Sequence, residues 1–570
     1  MIVYWHRWQK SLVPLTLLLM LALSNYVVQA QPQQQNETGS APYVITGQLF
    51  DEQGQPVPTA VIHLGEVETE SQENGAWILA LAELPADSTN LVIERPHFAS
   101  LTLTLDTAVR QQLQNSGTYN TGTLTLARHI SIGFWVATLA FILVLMLIAF
   151  EKLHSTTAAL VGVSLIFVST FIGRAFASAW FIFDFEQALR YINWEVIFLV
   201  MAMMIIIAII EETGVFQWMA FQAYRLSRGR LWLLVLILML ITAVASALLD
   251  NFTTMLLMTP ISLQIGIALG INPLALIIPE VLASNVGGIS TLIGTPTNIL
   301  IGAYADIGFS DFLANQTVGV LIALAFMAAF VLYHYRKELF QAGSGISHVL
   351  YERLEKNARI EEPRVLAKSG LVFLLVIVGF VIGERYHIVP AVPALLGATL
   401  LLVWLKPDVQ KMIKAVDWTT LLFFMALFIV VGAVQEVGLI STIAQAVSNV
   451  VGDSLPLAVF FVVFGAGTMS VFIANIPLAA SLLPVVEFLS GNIPGANSKV
   501  LYYALSMGAA MGGNGFLISA EANLVTAGIT AQADAPISFK AFMKVGLPVT
   551  YLTLLAGFLW LAIRFAIFGS

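Results

Sequence analysis

Residues 287–298 read GGISTLIGTPTN, a stretch of glycines, hydroxyl residues, one proline and one asparagine between long apolar segments. Residues 512–523 read GGNGFLISAEAN and repeat the opening Gly-Gly and the closing Asn. Glycine permits tight changes of backbone direction, and proline ends a helix because it has no N–H to donate. The two stretches therefore predict matching breaks in helical structure.

The composition around these stretches is that of a membrane protein. Of the 570 residues, 58% are hydrophobic and only 11% are charged, whereas soluble proteins carry about 25% charged residues. The absence of cysteine excludes disulfides, thiolate nucleophiles and cysteine metal sites. The histidines form no HxxxH or HExxH pair. The sequence thus predicts a polytopic membrane protein that is not an enzyme and has no cofactor.

The N-terminus carries the three parts of a secretory signal peptide. Basic Arg7 and Lys10 precede the apolar run Leu12–Leu23, and Ala30 ends a cleavage-like site. We expect a signal peptide over residues 1–30, with an uncleaved signal anchor as the alternative. The polar, proline-containing residues 31–42 are expected to be a linker.

Residues 43–127 have the pattern of a small all-β domain. Short runs rich in β-branched residues, such as YVITGQLF and SLTLTL, are separated by turn sequences such as DEQGQPVP. The arrangement of Gly47, Asp51, Gly54, Pro56 and Ala60 resembles the carboxypeptidase regulatory-like domain. That resemblance implies an extracytoplasmic β-sandwich that serves as a spacer or interaction module.

Residues 131–567 are predicted to form the membrane domain. Treating 272–302 and 499–528 as re-entrant hairpins, with the β-domain outside, places seventeen basic residues inside and only four outside. Lys499 is among the inside residues in this topology. The bias follows the positive-inside rule and predicts a multi-pass protein of a bacterial inner membrane.

The membrane domain contains an internal repeat, with halves at about 193–335 and 417–567. Trp418 follows Trp194 at the same interval at which Asn475 follows Asn251. Polar interruptions at 249–254 and 473–477 predict broken helices. An odd number of spans separates the halves, which inverts one relative to the other. Inverted repeats with paired interruptions are typical of secondary transporters.

Asp250 is the sharpest candidate for ion binding. A carboxylate at mid-membrane costs about 2.5–3.5 kcal/mol on insertion scales, so it usually marks an ion path. The alternative is a structural cap for the broken helix. Glu521, in the second glycine-rich stretch, is a second candidate, with an interfacial side chain as its alternative.

The motifs Leu249-Asp250-Asn251-Phe252-Thr253-Thr254 and Gly287–Asn298 resemble the ArsB/NhaD permeases of the ion transporter superfamily, and within them the P protein branch with its citrate transporter-like domain. The resemblance implies a homodimer in the bilayer whose transport part moves like an elevator. It also implies one site shared by both halves: Asp250, Asn251, Thr253, Thr254, Gly294, Thr295, Asn298, Asn475, Pro477, Gly513, Asn514, Glu521 and Asn523.

This chain departs from the family pattern at charged positions. Thr295 and Ala474 stand where the pattern has aspartate, and Glu521 adds an acid that the pattern lacks. We expect a coupling cation, Na⁺ or H⁺, with Na⁺ at Asp250, Asn251 and Asn298.

Taken together, the sequence predicts a cation-coupled secondary transporter of a small inorganic ion or carboxylate anion. A sodium–proton antiporter is the alternative, favoured by two acids and no basic residue in the site. A more distant alternative is a membrane sensor in which the β-domain binds a ligand.

Overall fold

The computed structural model describes residues 42–567 except 53, 87, 151, 341–355 and 357. The predicted signal peptide and nearly all of the linker lie outside the described residues. The chain divides into two compact units that meet at His129 and Ile130.

The N-terminal unit consists of two small β-sheets, as the sequence predicts. One sheet has the order β4-β1-β7, in which β1 pairs antiparallel with β4 and parallel with β7; the other has the order β3-β2-β5-β6. The strands are β1 Tyr43–Asp51, β2 Val61–Leu64, β3 Val67–Glu70, β4 Ala76–Leu81, β5 Thr89–Glu94, β6 Leu101–Leu105 and β7 Thr118–Leu126. One helix, α1 (Thr107–Ser116), interrupts the all-β pattern, and Asp106 caps it by accepting from the Val109 N–H at 2.9 Å.

The second unit is helical. Eight of its described helices are long and apolar enough to cross a membrane. The helices are α2 Ile132–Ala149, α3 Ser155–Phe167, α4 Phe185–Arg190, α5 Trp194–Glu211, α6 Val215–Ser227, α7 Leu231–Leu248, α8 Asn251–Ala268, α9 Leu274–Gly287, α10 Pro296–Ala305, α11 Phe309–His334, α12 Arg336–Leu339, α13 Pro363–Arg385, α14 Ala391–Leu405, α15 Val409–Ala415, α16 Trp418–Glu436, α17 Leu439–Val451, α18 Leu455–Ser470, α19 Asn475–Asn492, α20 Val500–Gly512, α21 Glu521–Gln532 and α22 Phe539–Leu561.

The two halves share the same series of elements and the same contacts. Helices α5 to α11 match α16 to α22 in order and, to within three residues, in length. The Ser246 hydroxyl donates to the Ser284 carbonyl at 2.8 Å, and Ser470, its counterpart in the second half, donates to the Ala509 carbonyl at 2.6 Å. These paired contacts fix the residue-by-residue correspondence between α7–α9 and α18–α20.

The correspondence extends further towards the N-terminus than the predicted start at residue 193. Helix α3 packs on α16, and α14 packs on α5. The carboxylate of Glu212, at the end of α5, pairs with Lys411 Nζ at 2.6 Å, and its counterpart Glu436 accepts from the Tyr191 hydroxyl at 2.6 Å. Each half therefore binds the segment that precedes the long helix of the other.

The chain keeps one direction through the glycine-rich stretches and does not form hairpins there, contrary to the sequence prediction. Going along α20, Lys499 donates to the Asp306 carbonyl, Ser506 to Asn298 Oδ1 at 2.6 Å, and Asn514 Nδ2 to the Leu282 carbonyl at 3.3 Å. These contacts meet the end of α10, then its start, then α9. Helices α9 and α10 therefore lie end to end, antiparallel to α20.

The second interruption has the same form. The hydroxyls of Thr259 on α8 and Thr526 on α21 lie 3.3 Å apart, while Asp250 and Glu521, at the starts of these helices, line one cavity. Helix α21 thus runs parallel to α8. Because α8 and α20 are both antiparallel to α9, as the contacts in the next paragraph show for α8, helix α21 continues the direction of α20.

The predicted broken helices near Asp250 and Asn475 are, conversely, helical hairpins. Thr242 on α7 contacts Glu280 on α9 at 3.4 Å, and Ser246 contacts Ser284, so α7 and α9 are parallel. Asn251, at the start of α8, contacts Asn285 near the end of α9 at 2.9 Å. Helix α8 is therefore antiparallel to α7, and the chain reverses at residues 249–250. Helices α18 and α19 correspond to this hairpin.

This arrangement puts Lys499 at the end of the helical unit that the prediction placed outside, not at the inside end predicted for it. Lys499 contacts Asp306, and Glu384 accepts from the Ser310 N–H at 2.6 Å, which puts all of them at the end of the unit where α13 finishes. In the first half, the two topologies differ only in the side on which loop 269–273 lies. This loop has no charged residue, so the count of basic residues is the same for both topologies.

We expect a cysteine at exposed position 497 to be modified from the same side of the membrane as one at 385, and from the opposite side to one at 414. The protein has no native cysteine, so an impermeant thiol reagent applied to Asn497→Cys, Arg385→Cys and Lys414→Cys reads each site without background. Modification of position 497 together with 414 would contradict the end-to-end arrangement of α9 and α10.

Candidate functional site

Three carboxylates line one cavity within the helical unit, which is called the central cavity below. Asp250 comes from the tip of the α7–α8 hairpin, Asp417 from the start of α16 and Glu521 from the start of α21. All three side chains are half-buried. The rest of the lining is largely apolar and contains no lysine or arginine. The charge of this lining therefore favours cations over uncompensated anions.

Each carboxylate stands at a helix N-terminus. Asp250 Oδ1 accepts from the Thr253 N–H at 2.7 Å, and Asp417 Oδ1 accepts from the Thr419 and Thr420 N–H groups at 3.0 and 3.2 Å. Glu521 is the first residue of α21. A carboxylate at an N-cap is held in a defined position by these bonds and by the helix dipole.

A buried amide cluster connects the two halves beside this cavity. Asn285 Oδ1 accepts from Asn251 Nδ2 at 2.9 Å, and Asn285 Nδ2 donates to Asn514 Oδ1 at 2.8 Å and Asn523 Oδ1 at 3.0 Å. All four side chains are at most 5% exposed. Asn285 thus joins the first hairpin tip to the second helix interruption.

Asn298 and Asn523 hold the two interruptions in the same way. Asn298 Nδ2 donates to the carbonyls of Ile289 and Thr291 at 3.0 and 2.8 Å, and Asn523 Nδ2 donates to those of Gly513 and Phe516 at 2.8 and 3.0 Å. These carbonyls lie where the α-helical hydrogen bonding is interrupted, and buried backbone groups there need other partners. The closing asparagine of each stretch therefore stabilises the unwound backbone by hydrogen bonds.

The glycines of the first interruption permit close backbone contact. A Cβ on Gly288 would lie 2.5 Å from the Gly294 carbonyl oxygen, and one on Gly294 would lie 2.4 Å from the Gly288 carbonyl oxygen. No side chain fits at either position without moving the backbone, so the interruption depends on both glycines.

A second acidic cavity lies beyond Ile299, which lines both cavities. Glu195, Asp306, Asp311 and Glu384 line it together with His387. It lies at the end of the unit where α10 finishes. Negative charge at both cavities favours the approach of cations.

The structure brings together part of the predicted site. Asp250 and Glu521 share the central cavity, and Asn251, Asn514 and Asn523 share the amide cluster. Thr253 and Thr295 take part through capping, where Thr295 Oγ1 accepts from the Asn298 N–H at 3.1 Å. Gly294 and Gly513 shape the interruptions.

Other predicted residues stand apart from these two groups. Asn475 and Pro477 are buried at the start of α19, and the buried Thr254 hydroxyl has no hydrogen-bond partner among the described residues. The trio predicted for Na⁺ is not assembled here. Asn298 uses its amide for backbone carbonyls and its Oδ1 for Ser506, and it does not line the cavity that contains Asp250.

Sequence reasoning missed Asp417 and Asn285 as site residues. Asp417 directly precedes Trp418, which marked the repeat, and its counterpart Asn193 caps α5 by accepting from the Val196 N–H at 3.2 Å. The N-cap pattern before each long helix was the available signal for Asp417. Asn285 lies near the end of α9 in a largely apolar segment, where an asparagine already implies a buried partner.

Comparisons with known proteins agree with a transport role. A family model described as "Citrate transporter" matches residues 145–508. The 46 kDa membrane protein of Mycobacterium leprae is 35% identical over 75% of this chain and 98% of its own length. An uncharacterised transporter of Mycobacterium tuberculosis is 36% identical over the same shares. The human P protein is 32% identical over 74% of this chain and 59% of its own length.

Proposed function

The chain belongs to the citrate transporter family of membrane transporters, and on that premise we propose that it is a secondary active transporter of a small ion, coupled to a cation in the central cavity. The cavity lined by Asp250, Asp417 and Glu521 carries this proposal. Three carboxylates with no basic side chain in the lining attract a cation, and H⁺ and Na⁺ are the cations whose gradients drive such carriers.

The repeat geometry supports alternating access as the mechanism. Helices α9 and α10 run antiparallel to their counterparts α20 and α21, and inverted repeats of this kind are typical of secondary transporters. The cavity lies between the long helices α5 and α16 on one side and the hairpin tip and interrupted helices on the other. An elevator-type movement of the latter against a scaffold of α2–α5 and α13–α16 would expose the cavity alternately.

Two kinds of transport are candidates, and experiment can distinguish them. A small carboxylate anion fits the family, and its carboxylates would bind the freed amides of the interruptions. Sodium–proton antiport without an organic solute is the second candidate, and the acidic lining of the cavity favours it.

Reconstitution into proteoliposomes separates the two candidates. We expect an imposed proton or sodium gradient to drive solute movement through the purified protein. Uptake of labelled citrate or succinate would establish carboxylate transport, whereas sodium-driven proton flux without any organic anion would establish antiport. Absence of gradient-driven flux for every solute would contradict secondary transport.

The family resemblance also leads us to propose a homodimer in a bacterial inner membrane with the β-domain outside. Cross-linking in native membranes tests the dimer. Deletion of residues 43–127 tests the sensor alternative, because a transporter is expected to retain flux without this domain.

A further inference from the structure

A buried polar cluster lies away from the central cavity, between helices α7, α8 and α9. Glu280 on α9 has no exposed surface, and its Oε1 lies 3.4 Å from the Thr242 hydroxyl on α7. Its Oε2 and the buried hydroxyl of Ser262 on α8 have no hydrogen-bond partner among the described residues. A carboxylate that is fully buried with one long hydrogen bond and one unpartnered oxygen is costly, so its presence here calls for an explanation.

The second half of the protein shows that the fold does not need this carboxyl. In the correspondence fixed by Ser246 and Ser470, Thr242 matches Ala466 and Ser262 matches Val486. Glu280 matches Leu505 in the same alignment that pairs Ser284 with Ala509. All three counterparts are buried apolar side chains. The same helix packing is thus built once with a polar cluster and once with an apolar one.

No charged neighbour compensates Glu280. Helices α7 and α8 carry no titratable side chain. The other helices that contact α9 are α11, α20, α21 and α22. Their titratable groups are Asp311, Tyr333, His334, Tyr502, Tyr503, Glu521, Lys540, Lys544 and Tyr551. None of these groups forms an ion pair or hydrogen bond with Glu280 in the described part of the chain.

We propose that Glu280, with Thr242 and Ser262, is a second proton-binding site, carried by the same helices as the first hairpin tip. Three side chains offer too few oxygens for a metal cation, which needs about six ligands when it is hard, whereas a proton needs one carboxylate oxygen and one hydroxyl acceptor. Binding converts the carboxylate to the acid and breaks no other bond. Because the group has no exposed surface in this conformation, the proton is occluded here and exchanges in another conformation. This inference rests on the proposed transport function.

The Glu280→Gln variant tests the site, because it imitates the permanently protonated acid. We expect it to keep solute exchange across proteoliposomes at equilibrium and to lose net proton-coupled flux. Glu487→Gln is the control of the same chemistry: Glu487 is an exposed carboxyl on α19 that accepts from the Tyr304 hydroxyl. Net proton-coupled flux at the wild-type level in Glu280→Gln would overturn the proposal, as would loss of exchange together with net flux.

Two further measurements keep the test decisive. The combined variant Thr242→Ala, Ser262→Val, Glu280→Leu installs the residues of the second half, so it is expected to fold and to lose net proton-coupled flux in the same way. Infrared spectroscopy of the purified protein is expected to show a protonated carboxyl band that Glu280→Gln removes and Glu487→Gln retains. If the wild type proves to have no gradient-driven flux, the transport proposal fails, while the infrared band still decides whether Glu280 binds a proton.

Discussion

The Asp250→Asn variant is expected to fold normally and to lose cation-driven transport. Asparagine caps helices as well as aspartate does, so the bond from the Thr253 N–H, 2.7 Å long in the wild type, is retained. What disappears is the negative charge in the central cavity. A bond to a charged group contributes about 1.5–3 kcal/mol, which corresponds to roughly a ten- to hundredfold weaker binding of the coupling cation.

Asp408→Asn provides a control of the same chemistry. Asp408 caps α15 by accepting from the Gln410 N–H at 2.9 Å, but it does not line the cavity. We expect this variant to match the wild type in melting temperature and in flux. Thermal shift with added sodium separates binding from movement, since a bound cation stabilises the folded state. Unchanged flux and unchanged sodium stabilisation in Asp250→Asn would reduce Asp250 to a structural cap.

The acids of the central cavity and the separate Glu280 mark where the two halves differ. Asp250 corresponds to Ala474, Asp417 to Asn193, Glu521 to Pro296 and Glu280 to Leu505. The shared skeleton of glycines and closing asparagines is structural, because both halves need to fasten an unwound backbone. Each carboxylate is present in only one half, so we expect ion binding at the positions where the two halves differ.

Sequence reasoning recovered the family, the helical membrane unit and the β-region. The resemblance to the P protein branch is confirmed by the 32% identity to the human P protein. Sequence reasoning also placed the two helix interruptions at the right residues, since glycine, proline and Asn298 mark them. It assigned the wrong shape to each, because a Gly-rich break looks alike whether the following helix continues or reverses. Only contacts distant in sequence, such as Lys499 with Asp306, distinguish the two.

The Asn285→Leu variant is expected to be the most destabilising of the changes considered. Leucine has a similar volume, but it removes the partner of the Asn251 amide and of the Asn514 and Asn523 oxygens, all of them buried. Each buried polar group left without a partner costs about 1–3 kcal/mol. We therefore expect a loss of roughly 3 kcal/mol or more in the free energy of unfolding, and with it the loss of transport.

The counterpart of Asn285 in the second half is Ala510, which makes the comparison informative. Ala510 is buried and has an apolar side chain. The Ala510→Ser variant therefore adds only a small hydroxyl beside the second helix interruption. Thermal unfolding in detergent is expected to show a large fall in melting temperature for Asn285→Leu and a small one for Ala510→Ser. A melting temperature of Asn285→Leu close to wild type would mean that the amide cluster does not connect the two halves. The hairpin tip and the second interruption would then be free to separate during transport, whereas with Asn285 in place they are expected to move as one body.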